Sequence, residues 1–101
     1  MLRYLSVAGL MNTNKLFPFM YSGTAPIDLN TAKDSGFYRL AGNNYTNGPT
    51  SDLYGVLIVF KDTTSYISQM ILSPLGTPRV FVRGGAFIDN TWGDWKEFTL
   101  K

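Results

Sequence analysis

The stretch Leu53-Tyr54-Gly55-Val56-Leu57-Ile58-Val59-Phe60 decides the fold. It carries no charge and is rich in β-branched and aromatic residues, which fit a pleated, packed surface, so it reads as a strand. Side chains alternate along a strand, so Leu53, Leu57 and Val59 share one face while Tyr54, Val56, Ile58 and Phe60 share the other. A strand apolar on both faces has to be covered on both. It is therefore central in its sheet, or one of its sides meets another subunit. Gly55 within it predicts a bulge or the close approach of a neighbouring aromatic ring.

Outward from this strand the same grammar recurs from Gly36 onward: short runs of Val, Ile, Tyr and Phe, each followed by Gly, Pro, Asn or Asp. It predicts strands over 36–41, 53–60, 66–72, 79–83 and 92–99, joined by loops at 42–52, 61–65, 73–78 and 84–91. Gly84-Gly85 reads as a turn signal. In 79–83, Val80 and Val82 face one way and Arg79, Phe81 and Arg83 the other, which predicts one clean core face on the valine side. In 92–98, Trp92, Asp94, Lys96 and Phe98 share a side. Trp95 lies opposite as the buried tryptophan, and two indoles so placed on one strand cannot form a single platform. The expected fold class is mainly β: a small antiparallel sheet or sandwich-like head domain with long loops and at most one short helical turn. That turn is expected after Asp28, a candidate N-cap, running through Lys33 and ending at Ser35-Gly36.

The head domain is placed at 26–101. Residues 1–25 follow a different regime. Leu16-Phe17-Pro18-Phe19-Met20-Tyr21 is strongly apolar but broken by proline, with neither helical nor strand periodicity. Residues 1–25 are read as a connector, with this apolar stretch expected to pack along the sheet or between subunits. The opening Met1 to Met11 loosely mimics a leader peptide, but Ser6 and Gly9 break its apolar run and it has no clear cleavage site. No stretch approaches the ~20 apolar residues a membrane helix needs, so no membrane insertion is expected.

Composition narrows the chemistry. Of 101 residues, 45% are hydrophobic and 15% aromatic against 16% charged, enough apolar matter for a core with aromatic surplus for contacts. Nine basic and seven acidic residues are scattered along the chain, so no track for a phosphate backbone exists and no nucleic-acid partner is expected. Without cysteine or histidine the chain has no disulfide, no Cys- or His-based metal site and no usual nucleophile–base pair. A glycosidase would need two facing carboxylates, whereas the acidic residues here fall mostly in loops and turns. Catalytic residues, cofactors and metals are all expected to be none.

The candidate contacts are polar and aromatic. Asn43-Asn44-Tyr45-Thr46-Asn47 mixes amides, a hydroxyl and an aromatic ring in the manner of glycan contacts, although each asparagine alone fits ordinary turn chemistry. Phe87-Ile88-Asp89-Asn90-Thr91 is a second candidate loop. Trp92 is left open as a stacking residue and Trp95 is assigned to the core. Arg83 would pair internally with Asp28 or Asp94, or stack on an aromatic ring, in preference to clamping a ligand. Gln69, mid-strand, is expected to bond a buried backbone group in a loop.

Several short motifs follow one another in order. They are Asp28-Leu29-Asn30, Gly36-Phe37-Tyr38, Asn47-Gly48-Pro49, Tyr54-Gly55-Val56-Leu57, Gln69, Val80-Phe81-Val82-Arg83 and Trp92-Gly93-Asp94-Trp95-Lys96. Over about residues 26–98 this series resembles the pyocin-knob family, small domains near the tips of phage and R-type pyocin tail fibres. One departure is Gly93-Asp94, where the family often has Ser-x before Trp. The resemblance implies a non-catalytic β-rich head domain, carried in a homotrimer on a virion or phage-tail-like particle. It implies attachment to a bacterial surface polysaccharide, either lipopolysaccharide or a wall glycan. The motif residues are then structural. Recognition falls to loops 42–47 and 86–91, with Asn43, Asn44, Tyr45, Asn47, Phe87, Asp89, Asn90 and Trp92 as ligand contacts. Two other readings are a trimerisation module with recognition elsewhere and an accessory domain of a polysaccharide depolymerase.

Overall fold

The apolar stretch at 53–60 forms an interior strand of its sheet, but only its Leu53, Leu57 and Val59 side is covered. The computed structural model describes residues 20–62, 65–74, 76–86 and 89–99. They form one seven-stranded sheet and a single 3-10 turn, so the chain is mainly β. The strands are β1 (Tyr21–Thr24), β2 (Gly36–Asn43), β3 (Leu53–Lys61), β4 (Tyr66–Ser73), β5 (Arg79–Ala86), β6 (Thr91–Trp92) and β7 (Lys96–Thr99). They lie in the order β1-β2-β3-β4-β5-β6, with β7 also paired to β5. All pairs are antiparallel except β1 with β2, which run parallel. A parallel return needs a crossover, and residues 25–35 supply it, carrying the 3-10 turn Leu29–Thr31.

One face of the sheet is buried. Tyr38, Leu57, Ile71 and Phe81 stand in register across four strands. Leu29 and Ala32 from the crossover and Tyr45 from the β2–β3 loop join the same buried cluster. The expected core face of β5 is reversed: Phe81 and Arg83 are the buried side chains, and Val80 and Val82 belong to the opposite face. The arginine is tolerated inside because its guanidinium is stacked and hydrogen-bonded there. The opposite face is apolar and open, with Phe37, Tyr54, Val56, Phe60, Leu72 and Phe98 all exposed.

The structure corrects several other expectations. Gly84-Gly85 is no turn, because β5 continues through both residues to Ala86. The expected strand at 92–99 is split into β6 and β7 by Gly93-Asp94-Trp95, both pieces lying along β5. At Gly55 the close neighbour is backbone: its φ is +133° and a Cβ there would collide with the Leu72 carbonyl oxygen. The aromatic approach occurs instead at Gly42, in the register shift near the end of β2, where the Tyr54 ring lies over the backbone. Within the expected connector, Tyr21–Thr24 is a strand of the sheet, while residues 1–19 lie outside the described residues.

Candidate functional site

The crossover is tied down from Asp28. Its carboxylate accepts from the Asn30 N–H (3.0 Å) and from Asn47 Nδ2 (2.8 Å), the first being the expected N-cap on a turn shorter than predicted. Leu29 and Ala32 direct their carbonyls at β4, where Gln69 Nε2 donates to both, at 2.7 and 3.0 Å. Gln69 is 1% exposed, and its role as a binder of buried backbone matches the expectation. Its Oε1 accepts from Arg83 Nε (2.8 Å), the residue opposite it on β5.

Arg83 in turn lies under both tryptophans, its guanidinium carbon 4.1 Å from the Trp92 ring centre and 4.6 Å from that of Trp95. This overturns the expectation that the indoles cannot act together. The Gly93 N–H still donates to the Gly84 carbonyl (2.8 Å), but between the Gly85–Trp92 and Val82–Lys96 pairs this segment holds one residue more than β5 opposite, and that slip puts Trp95 on the same side as Trp92. Gly85 permits the fit, since a Cβ there would press on the Trp92 ring at 3.0 Å. Trp95 Nε1 donates to the Asn47 carbonyl (2.8 Å), which returns the network to the Asp28 partner. The motifs at 28–30, 47–49, 69, 83 and 92–95 therefore converge on one cluster.

The cluster carries an unevenly compensated charge. Arg83 is 7% exposed, and burial pulls its guanidinium down to about 10, opposed by the attraction of Asp28. It stays cationic at neutral pH. The Asp28 carboxyl is held below the usual carboxylate range, first by the Asn47 amide, then by the Asn30 N–H and, more weakly, by Arg83.

Beside the cluster opens a cleft of about 380 Å³, lined by Asn30, Asn47, Gly48, Arg83, Asn90, Trp92, Gly93, Asp94 and Trp95. Three buried polar atoms on these residues have no hydrogen-bond partner: Asn30 Oδ1, Arg83 Nη2 and Trp92 Nε1. No family model, curated protein or solved structure matches the chain. Among the described residues, no group of three or more Asp and Glu side chains could hold a metal ion.

The sequence-predicted contacts divide. Asn47, Asn90 and Trp92 come together in the cleft, so the two expected loops do meet there. Asn47 and Asn90 both adopt left-handed backbone, at φ of +61° and +56°. Asn43 is exposed at the end of β2, and the Asn44 Oδ1 accepts from the Asp52 N–H (3.0 Å). Tyr45 is buried, its hydroxyl accepting from the Ala41 N–H (2.8 Å), so its ring belongs to the core and offers no stacking surface. Asp89 accepts from the Thr91 hydroxyl (2.8 Å). Phe87 lies outside the described residues. Asn30, Arg83, Asp94 and Trp95 also line the cleft without having been predicted as contacts; their motifs were visible, but their convergence depends on long-range packing.

The Asp28 shift gives a pH dependence with a definite sign. A carboxyl lowered by folding stabilises above its unfolded value of ~3.9, and that stabilisation is lost as the pH falls through the folded value. Urea unfolding between pH 6 and 2 should show wild-type stability declining below about pH 4. Asp28→Asn, still a good N-cap, should start lower and decline less steeply. Parallel declines would place the sensitivity on another carboxylate.

Proposed function

We propose that this chain is a non-catalytic attachment module, a receptor-binding tip domain of a phage tail fibre or phage-tail-like particle that engages a bacterial surface glycan. The observation that carries this reading is the cleft itself, in which Asn30, Asn47 and Asn90 are brought together with the tryptophan pair. Amides around a rigid aromatic cluster recognise hydroxyl-rich ligands by hydrogen bonding and contact with sugar C–H faces. The motif resemblance supplies the biological setting, including a homotrimer and a location on the virion. In a trimer with several fibres, weak sites gain ~10²–10⁴ in apparent affinity, so a small cleft suffices. Cleavage chemistry has less support at this place: Asp94 lines the cleft, whereas the Asp28 carboxylate is held by Asn30 and Asn47.

The test is titration calorimetry of the full chain against polysaccharide from isolated host envelopes. Asn90→Gly removes an amide while keeping the left-handed backbone comfortable. It should weaken binding about tenfold, the worth of one to two hydrogen bonds, with the melting temperature nearly unchanged. A folded wild type that binds no envelope polysaccharide would leave the trimerisation reading. Release of reducing sugar would instead establish the depolymerase reading.

A further inference from the structure

The face of the sheet turned away from the cluster is built like a second core. Phe37, Ile58, Met70 and Val82 stand in register across four strands, and Val56, Leu72, Val80 and Phe98 form the adjacent row. Arg39 and Lys96 appear only on β2 and β7, toward the sides of the sheet. Phe37, Val56, Ile58 and Phe60 enclose a wholly apolar depression of about 460 Å³. A surface like this needs a cover.

The chain holds a fitting cover of its own. This arm, residues 1–19, includes Leu5, Val7, Leu10, Leu16, Phe17 and Phe19, and the stretch 16–21 is strongly apolar without the strand or helix pattern to bury itself. Where the arm ends is informative. The Met20 carbonyl accepts from the Phe37 N–H (3.0 Å), and the Tyr21 ring centre lies 5.7 Å from that of Phe37. The arm thus joins the described structure beside the residue that lines the depression.

We infer that this apolar face is the docking surface for the chain's own N-terminal arm, residues 1–19. Its length is sufficient: crossing from β1 to β5 takes four inter-strand steps of about 4.8 Å, which six extended residues span. Covalent attachment also gives the arm an effective concentration of the order of millimolar, against which a second copy competes poorly in dilute solution. The docking stands independently of the glycan reading.

The absence of cysteine makes the test clean. Asn14→Cys in the full chain takes a single nitroxide label, and amide signals are read from ¹⁵N-labelled protein. With the labelled chain diluted in unlabelled wild type, Val56, Ile58 and Phe60 should lose most of their intensity, recovering when the nitroxide is reduced. Adding Phe17→Asp and Phe19→Asp to the labelled chain should restore those signals. Loss in a sample mixing ¹⁵N chains without nitroxide and nitroxide-bearing unlabelled chains would assign the face to a second copy's arm. No loss in either sample would remove the arm as occupant. Either result overturns the proposal.

Discussion

Gly55→Ala is expected to cost about 4 kcal/mol, combining backbone strain with a steric conflict in a packed sheet. For a domain of this size the loss is a large part of the total stability and should lower the melting temperature by roughly 15–30 °C. The cause is local and specific. Gly55 occupies φ of +133°, where an L side chain is strained, and its missing Cβ is what lets β3 lie against the Leu72 carbonyl of β4. That obstacle is backbone held in the middle of a ladder, so it has nowhere to retreat. Gly76→Ala is the matching control, with φ of +68° but nothing within 4 Å of the new methyl group. It should cost about 1 kcal/mol. Thermal unfolding of the two variants separates steric conflict from backbone preference. Equal losses would show that β3 and β4 do not approach so closely.

Gly55 also shows what was legible in the sequence. That a glycine inside an apolar strand marks a close approach is a local rule, and it held. What approaches is decided by register with a strand seventeen residues away, and no local pattern carries that. The tryptophans failed for the same reason. Period-two alternation correctly puts neighbours on opposite faces, but it assumes an unbroken strand through Gly93. The break becomes visible only in the pairing with β5, where residues 93–95 stand against Arg83 and Gly84 and so hold one residue more than the strand opposite. The β1 strand gave no periodic signal, because Tyr21-Ser22-Gly23-Thr24 has a single large apolar residue and is held by the edge of β2. Of the candidate contacts, Tyr45 was misplaced because a tyrosine in an asparagine-rich loop looks exposed until its hydroxyl is seen bonding Ala41 inside. The strand faces of β3, the Asp28 cap and the backbone-binding role of Gln69 were legible because each follows from neighbours in sequence or from burial of a polar group alone.

Gln69→Met should destabilise the domain by about 4–6 kcal/mol, and the loss should be strongly coupled to Arg83. Methionine keeps nearly the same volume, so little cavity cost enters. What it removes is the partner of three groups at once: the Leu29 and Ala32 carbonyls and the Arg83 Nε–H. Each buried group left unpaired costs about 1–3 kcal/mol, and a buried charge costs more than a neutral group. Because the same amide anchors the crossover and orients the guanidinium beneath Trp92 and Trp95, near-ultraviolet circular dichroism of the indoles should weaken as well. Arg83→Met alone should also be costly, since it strands the Gln69 carbonyl and removes the stack under both rings. In the double variant the Arg83–Gln69 bond has no stranded partner, and only the two crossover carbonyls still lack a donor. Its loss in urea unfolding should therefore fall short of the sum of the single losses by about 1–2 kcal/mol. Strict additivity would mean that Gln69 holds the crossover and Arg83 holds the tryptophans as separate devices. Coupling of the expected size would show instead that the crossover, the buried guanidinium and the cleft are assembled by one side chain.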